Sequence, residues 1–298
     1  MKKSILCTVA ASMGLWSCGG DAVDTPSARG GQTRDVVAVT SGPAEWIASL
    51  VMAEGQWDAI AEAGSVPGTW RPDDGELDRL ISARKILLVG EEFEPWTQRA
   101  GLPPSRVVSL VSLADPSRLL ATDGITHTHG TGPAHSHGGT VPTVWTDPDL
   151  LESLLPVAAK ALGAAGAYSG EIPGLADYRA ALDELRGATR GRAIIVSGHG
   201  LEYIGRITGT EFRVALLEPD ENGPTNDRGR HQLDGFAKKP DDAGLLVWVD
   251  PPPTAFRDVV KSELGLTSVH FDLGGSAGAE TLQVLTESTR RLAAALKP

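Results

Sequence analysis

The stretch DVVAVTSGPAEWIASLVMAEG, residues 35–55, decides the fold because it predicts a strand followed directly by a helix. Its first seven residues, 35–41, are mostly β-branched or apolar and end in turn residues, which is typical of a buried strand. The apolar residues around Trp46 then recur at helical spacing. A strand–helix unit of this kind is the building block of a parallel sheet.

The same alternation continues along the chain and predicts an α/β fold. Six further runs indicate strands, at 84–90, 105–111, 192–198, 212–218, 245–250 and 268–272. Helical patterns follow several of them, at 91–101, 201–209, 254–265 and 279–297. The polar segment 219–239 is predicted to be a loop.

Two helical segments separate the halves of this pattern. The first begins at Asp147, a suitable N-cap, with Pro148 in the first turn. The second, 166–191, is predicted to link an N-terminal lobe, 35–165, to a C-terminal lobe, 192–298. Because ligands bind at the carboxyl ends of strands in open α/β sheets, we expect a binding cleft between the lobes.

The N-terminus has the features of an export signal. Residues 1–18 contain two lysines, an apolar stretch and the sequence LWSC, which ends at Cys18 and resembles a bacterial lipobox. Residues 19–34 are rich in small polar residues and predict a flexible tether. We therefore expect a lipoprotein anchored through Cys18 in the cell envelope or periplasm, with a plain secretory signal as the alternative.

Charge and cysteine content limit the possible partners. The formal net charge is −11, which argues against nucleic acid as a ligand. Cys7 and Cys18 are the only cysteines, and both belong to the predicted signal. A transition-metal site in the mature chain would therefore need His, Asp, Glu or water as ligands.

A histidine-rich segment is the most specific chemical feature of the chain. THTHGTGPAHSHGGT, residues 126–140, holds four of the seven histidines, in two His-x-His pairs: His127, His129, His135 and His137. Residues i and i+2 of an extended chain point the same way, so each pair can present two imidazoles to one ion. We expect this loop, 125–139, to contact a metal ion.

Five motifs together resemble the zinc- and manganese-binding receptors of ABC importers, the zinc-uptake substrate-binding family. They are PGTWRPDDGEL (67–77), VPTVWTDP (141–148), SGHGLEYIGRITG (197–209), VWVDPPP (247–253) and FDLGG (271–275). The resemblance covers residues 35–298. It implies two Rossmann-like lobes, a rigid linking helix and a metal site in the cleft between the lobes.

The expected ligand set is incomplete in this chain. The family's first two ligand histidines fall on Gly68 and Thr143, and the third falls on Gly198, one position before His199. The family's carboxylate ligand corresponds to Asp272. A zinc site needs about four ligands. Three explanations are open: the loop histidines complete the site, the cleft binds another ion or solute, or the loop itself is the binding site.

The sequence thus predicts a monomeric metal receptor, not an enzyme, that delivers an ion to an ABC transporter permease. The candidate ligands are the four loop histidines, His199 and Asp272. Zinc is favoured because nitrogen ligands predominate, with Mn²⁺, Ni²⁺ and Cu²⁺ as alternatives. A metal-buffering lipoprotein or metallochaperone without an importer is the main alternative. A metal-dependent hydrolase is less favoured, because THTHG is not followed by the further Asp and His of such motifs.

Overall fold

A computed structural model describes most of the chain beyond the predicted tether. It covers residues 34–122, 125–127, 135–137, 139–164, 166, 168–217, 227–239, 241–249, 251, 254–278 and 280–297. The predicted signal peptide, with Cys18, lies outside these residues, and so does His129. Among the helices that are described, none has the length and apolarity that a membrane span requires.

The first half of the chain forms a parallel four-stranded sheet in the order β2-β1-β3-β4. The strands are β1 (Arg34–Val39), β2 (Trp57–Ala59), β3 (Ala83–Leu88) and β4 (Val107–Ser109). The helices of this half are α1 (Gly42–Val51), α2 (Asp74–Ser82) and the short α3 (Leu110–Leu113). The strand–helix unit predicted at 35–55 is confirmed as β1 and α1, and the helix predicted at 91–101 is a 3-10 turn, Pro95–Arg99.

Between the halves lie a hairpin and two long helices. Strands β5 (Ile125–His127) and β6 (His135–His137) pair antiparallel. Helix α4 (Pro148–Ala161) begins at the predicted N-cap, where Asp147 accepts hydrogen bonds from the amides of Asp149 and Leu150. Helix α5 (Leu175–Thr189) starts later than the predicted linking helix. The preceding residue, Gly174, has φ 80°, a conformation that excludes it from a helix.

The second half repeats the parallel arrangement, in the order β10-β9-β7-β8. The strands are β7 (Ala193–Val196), β8 (Phe212–Val214), β9 (Asp242–Trp248) and β10 (Thr267–His270). The helices are α6 (Glu202–Thr208), α7 (Asp227–Phe236), α8 (Thr254–Leu264) and α9 (Thr281–Ala295). The prediction of an α/β fold with two parallel sheets is confirmed.

The predicted polar loop at 219–239 was wrong where α7 forms. This helix buries Gly229 and Leu233, which lie four positions apart, and its other described residues are exposed or half-buried. So narrow an apolar stripe gives almost no periodic signal in the sequence. The helix exists because Leu233 packs into a small cluster beneath the second sheet, with Ile195 and Leu246.

One hydrophobic core extends through both halves. Val39 and Leu87 of the first sheet belong to the same cluster of buried side chains as Val196 and Val247 of the second sheet. Side chains of α4, α5 and α9 belong to the same cluster. Burying one such aliphatic side chain contributes about 1.5–3 kcal/mol, so this shared core opposes separation of the halves.

The segment Val141–Asp147, which we name the clamp segment, hydrogen-bonds to the second half at several points. The Tyr203 hydroxyl on α6 donates to the carbonyl of Val141 at 3.2 Å. The hydroxyl of Thr143, which is buried, donates to the carbonyl of Gly200 at 3.0 Å. Both contacts attach the clamp segment to the turn and helix that follow β7.

Two further hydrogen bonds extend the clamp segment toward other elements. The buried Trp145 donates its indole N–H to the carbonyl of Leu273 at 2.9 Å, in the turn after β10. The Tyr178 hydroxyl on α5 donates to the carbonyl of Thr146 at 2.8 Å. Buried hydrogen bonds are costly to break, because an unsatisfied polar group in a dry interior loses its solvation.

The last residue of the clamp segment adds an ion pair. The Arg206 guanidinium on α6 lies 2.5 Å from Asp147 Oδ2, and Arg118 lies 3.8 Å from Oδ1. Only 4% of the Asp147 side chain is exposed. The same carboxylate therefore caps α4 and binds the second half of the chain.

We expect Asp147→Ala to lower the free energy of unfolding by about 2–3 kcal/mol, because it removes a helix cap and a largely buried ion pair. Asp147→Asn keeps an oxygen for the two helix amides, so it should cost about 1 kcal/mol. Equilibrium urea unfolding followed by tryptophan fluorescence measures both. Equal loss in the two variants would show that the cap contributes nothing beyond the ion pair.

Candidate functional site

A cavity of about 570 Å³ lies where the carboxyl ends of the two sheets meet. Its walls come from the turns after β3, β7, β9 and β10, together with the clamp segment and the turn before α2. Such a crevice is the usual ligand site of open α/β sheets. The chemically relevant residues in its walls are Gly68, Glu92, Thr143, His199, His270 and Asp272.

The structure brings Gly68, Thr143 and Asp272, three of the ligand positions that the resemblance implies, together in this cleft, but none of Gly68, Thr143 and Gly198 offers an available ligand atom. Gly68 offers no side chain, and a Cβ added there would meet nothing within 4 Å. Thr143 uses its hydroxyl to bind the Gly200 carbonyl. A Cβ at Gly198 would lie 3.2 Å from Val249 Cγ2. His199 and Asp272 remain as predicted ligands that line the cleft.

His199 is held by a carboxylate at the start of α6. Its Nδ1 lies 2.6 Å from Glu202 Oε1, and Glu202 Oε2 accepts the amide of Gly200 at 2.7 Å. Burial raises the pKa of the Glu202 carboxyl, but these hydrogen bonds outweigh burial and hold the pKa below its usual value. Glu202 is therefore a charged partner of the imidazole.

Asp272 is an exposed residue that follows β10, between the buried Phe271 and the half-buried Leu273. Its Oδ1 accepts the amide of Gly274 at 2.8 Å, and its own amide donates to Ser288 Oγ at 3.1 Å. These contacts fix the turn and keep the carboxylate at the wall of the cleft. Capping a turn through one oxygen is compatible with binding a cation through the other, because a carboxylate has several acceptor positions.

The structure adds two candidates that the sequence reasoning missed. His270 is the last residue of β10 and lines the cleft two positions before Asp272. Glu92 lies in the turn after β3, close to the base of the hairpin, so that a Cβ at Gly139 would lie 2.9 Å from its Oε1. A signal was available for His270, because strand ends at the carboxyl edge of a parallel sheet face the ligand crevice.

The hairpin that carries the histidines rises from the rim of this cleft. Thr122 and Thr140, at its base, both line the cavity. Its strands are closed by the Thr122 amide, which donates to the Gly139 carbonyl at 2.9 Å, and by a bridge between Ala121 and Thr140. The histidine hairpin is thus attached to the rest of the protein at the rim of the cleft.

The backbone of the hairpin contains three of the predicted ligand positions. His127 is paired with His135, and His137 is paired with Ile125. The described part of the chain, from which His129 is missing, contains no group of three or more His, Cys, Asp or Glu side chains placed to hold an ion.

A buried carboxylic acid, Glu94, follows the cleft-lining residue Phe93 in the turn after β3. Glu94 is fully buried and accepts hydrogen bonds from the Thr40 hydroxyl and from the amides of Val89, at 2.7 Å, and Gly90, at 3.3 Å. These donors follow β1 and β3, so Glu94 joins the ends of two central strands. Burial outweighs the hydrogen bonds and raises the pKa of Glu94 to about 7.

Comparison with known proteins identifies the fold. No protein-family model matches the chain, and no characterised protein matches it by sequence. Solved structures do match. The substrate-binding protein FpvC from Pseudomonas aeruginosa, in complex with Mn²⁺, has a TM-score of 0.65 and 14% identity, with 88% of this chain and 99% of that chain covered.

Two further structures agree with this match. The periplasmic zinc-binding protein TroA from Treponema pallidum has a TM-score of 0.64 and 18% identity, covering 90% of this chain and all of that one. The metal-dependent lipoprotein YcdH from Bacillus subtilis has a TM-score of 0.62 and 15% identity, with coverages of 88% and 98%. The fold that the motifs implied is confirmed.

The raised pKa of Glu94 predicts a pH-dependent stability. Because the acid is protonated more readily in the folded chain than in the unfolded one, folding binds a proton between about pH 4.5 and 7. This contribution is present at low pH and is lost as the pH rises, by on the order of 3 kcal/mol. Glu94→Gln should remove it, so the variant should gain stability relative to the parent between pH 5 and pH 8.

Urea unfolding of both proteins at the two pH values measures the difference. Comparing the variant with its parent cancels the contribution of every other titrating group that the substitution leaves unchanged. Parallel stability curves for the two proteins would show that Glu94 is ionised in the folded state at neutral pH.

Proposed function

We propose that the chain is a member of the zinc- and manganese-type substrate-binding family and serves as an extracytoplasmic receptor for a divalent metal ion, zinc in the first place. One observation carries this proposal: the histidine hairpin is anchored at the rim of the cleft that holds His199 and Asp272. The proposed ion is cargo, delivered to the permease of an ABC importer.

The donor count supports a site shared between the cleft and the hairpin. Zinc takes about four ligands in tetrahedral geometry. His199 and Asp272 supply one nitrogen and one oxygen, and the paired positions His127 and His135 supply two more nitrogens if the hairpin closes over the cleft. We infer that the hairpin replaces the donors that Gly68 and Thr143 lack.

Three observations support a cationic cargo that is bound through nitrogen atoms. The chain is acidic, which attracts cations. The neighbouring structures include proteins solved with Mn²⁺ and Ni²⁺ and one described as zinc-binding. Imidazole is a better ligand for Zn²⁺, Ni²⁺ and Cu²⁺ than for Mn²⁺, so a histidine-rich set favours the first three.

The location and anchoring follow from the same proposal. An exported receptor anchored through a lipid on Cys18 would hold its cargo near the permease, joined by the tether 19–34. We expect a monomer with an N-terminal lobe at 35–165, a linking helix within 166–191 and a C-terminal lobe at 192–298. No enzymatic step is assigned, since a receptor of this kind binds and releases its ion unchanged.

A second candidate function is metal buffering without an importer. It is favoured by the loss of donor atoms at Gly68 and Thr143, because a protein that binds mainly through its hairpin needs no complete cleft site. Both proposed functions involve the same metal ion, but only the receptor function requires an ABC importer as a partner. Uptake of ⁶⁵Zn by cells that carry or lack the protein separates them.

Replacing all four hairpin histidines by serine should lower Zn²⁺ affinity by at least about 100-fold, because two or more nitrogen ligands are lost. His199→Ala should lower it by at least about tenfold. His231→Ala serves as the control, since His231 is exposed on α7 and does not line the cleft. Isothermal titration with Zn²⁺, Mn²⁺, Ni²⁺ and Cu²⁺ gives the affinities.

The outcomes separate the three explanations for the incomplete ligand set. If only the hairpin variant loses Zn²⁺ affinity, the hairpin is an independent binding site. If only His199→Ala loses Zn²⁺ affinity, the cleft binds the ion without the hairpin. Unchanged binding in both variants would contradict the proposed site, and no binding by the parent protein would contradict the proposed function.

Gly68→His should raise Zn²⁺ affinity by about tenfold, because it returns an imidazole to an open position in the cleft wall. Gly166→His is the matched control, since it adds an imidazole at an exposed position outside the cleft. Equal Zn²⁺ affinities of the two variants would show that the bound ion does not contact position 68.

A further inference from the structure

We propose that Glu202 is a positioning residue, which holds the His199 ring so that Nε2 binds the cargo ion. This inference rests on the proposed function, since it concerns the same site. It assigns a role to a carboxylate that the family motifs do not include among the ligands. His199 and Gly200 line the cleft, whereas Glu202 does not.

Both oxygens of Glu202 are used inside the protein. Oε1 lies 2.6 Å from Nδ1 of His199, and Oε2 accepts the Gly200 amide at 2.7 Å. Only 22% of the side chain is exposed. The carboxylate is therefore turned toward the backbone and the imidazole, and is poorly placed to be a metal ligand itself.

The backbone of this turn is also held by contacts that do not involve the carboxylate. Gly200 has φ 133°, a conformation open to glycine, and a Cβ there would lie 2.6 Å from Leu273 Cδ1. Its carbonyl accepts the Thr143 hydroxyl of the clamp segment. The turn thus sets the position of the His199 backbone, and Glu202 sets the orientation of its ring.

The hydrogen bond also decides the chemistry of the ring. A carboxylate can only accept, so a neutral His199 carries its proton on Nδ1 and presents the lone pair of Nε2 as the ligand atom. A carboxylate behind an imidazole also makes the opposite nitrogen more basic, and loss of such a partner typically lowers metal affinity by about 10–100-fold.

A merely structural role for Glu202 has to be distinguished from this one. Helix α6 has Leu201 as its N-cap, without a side-chain cap, so an acidic first residue could simply stabilise the helix N-terminus. That role predicts a loss of stability with little change in metal preference. A positioning role predicts a larger loss for Zn²⁺, which favours nitrogen ligands, than for Mn²⁺, which favours oxygen ligands.

The test compares Glu202→Ala and Glu202→Gln with Glu171→Ala, a control at an exposed position before α5. Competitive titration on the full mature protein gives Zn²⁺ and Mn²⁺ affinities, urea unfolding gives stability, and ¹⁵N NMR of the histidine rings gives the His199 tautomer. We expect Glu202→Ala to lower Zn²⁺ affinity by about 10–100-fold and to reduce the ratio of Zn²⁺ to Mn²⁺ affinity. Glu202→Gln keeps an acceptor oxygen and should recover part of the loss.

Each outcome has a separate meaning. Wild-type Zn²⁺ affinity in Glu202→Ala, together with weak binding in His199→Ala, would overturn the positioning role and leave the proposed function intact. If Glu202→Ala lowers the Zn²⁺ and Mn²⁺ affinities equally and leaves the His199 tautomer unchanged, Glu202 has a structural role only. If the parent protein binds no ion, the proposed function fails, and the positioning role fails with it. If Glu202→Ala does not fold, the tautomer and affinity ratio of Glu202→Gln decide the question.

Discussion

The hydrogen bonds between the clamp segment and the second half of the chain are the constraint on which the rest of the structure depends. Thr143, Trp145 and Asp147 reach the turn after β7, the turn after β10 and helix α6, respectively. Those two turns also carry His199 and Asp272. The contacts that hold the halves together therefore involve the same two turns that carry the candidate ligands, and both ligands lie on the second-half side of the cleft.

This arrangement explains why the cleft lacks a donor where the family motifs place one. The side chain of Thr143 is buried and committed to the Gly200 carbonyl, so the position has a structural function in this chain. An imidazole there would need to leave that carbonyl without its partner. This is why we propose that the nitrogen ligands come from the hairpin, whose base residues Thr122 and Thr140 line the cleft.

The sequence predicted the parts of the fold that have strong periodic signals. The strands β1, β3, β7 and β9 each contain a run of apolar residues, and the Asp147–Pro148 cap marks the start of α4. The sequence did not predict strand β2, which has only three residues, or helix α7, whose apolar stripe is too narrow to give a periodic signal. These elements are specified by packing against neighbours that are distant in sequence.

For the candidate site, the motifs predicted which segments meet but not what their side chains do there. His199 and Asp272 lie in the cleft as expected, whereas the contribution of His270 and Glu92 to its walls required the three-dimensional arrangement. No pattern in the sequence could show that the Thr143 hydroxyl is occupied, because its partner Gly200 lies 57 positions away.

Two glutamates near the cleft, the buried Glu94 and the half-buried Glu202, show how local partners decide the charge of a carboxyl group. Glu94 is enclosed and receives only neutral donors, so burial dominates and its pKa rises. Glu202 has one imidazole partner and some access to solvent, and its pKa falls. At neutral pH the first is partly protonated and joins two strands, and the second is charged and orients an imidazole. The charge of Glu202 thereby lies beside Nδ1 of His199, where the proposed function requires a partner that makes the opposite ring nitrogen more basic.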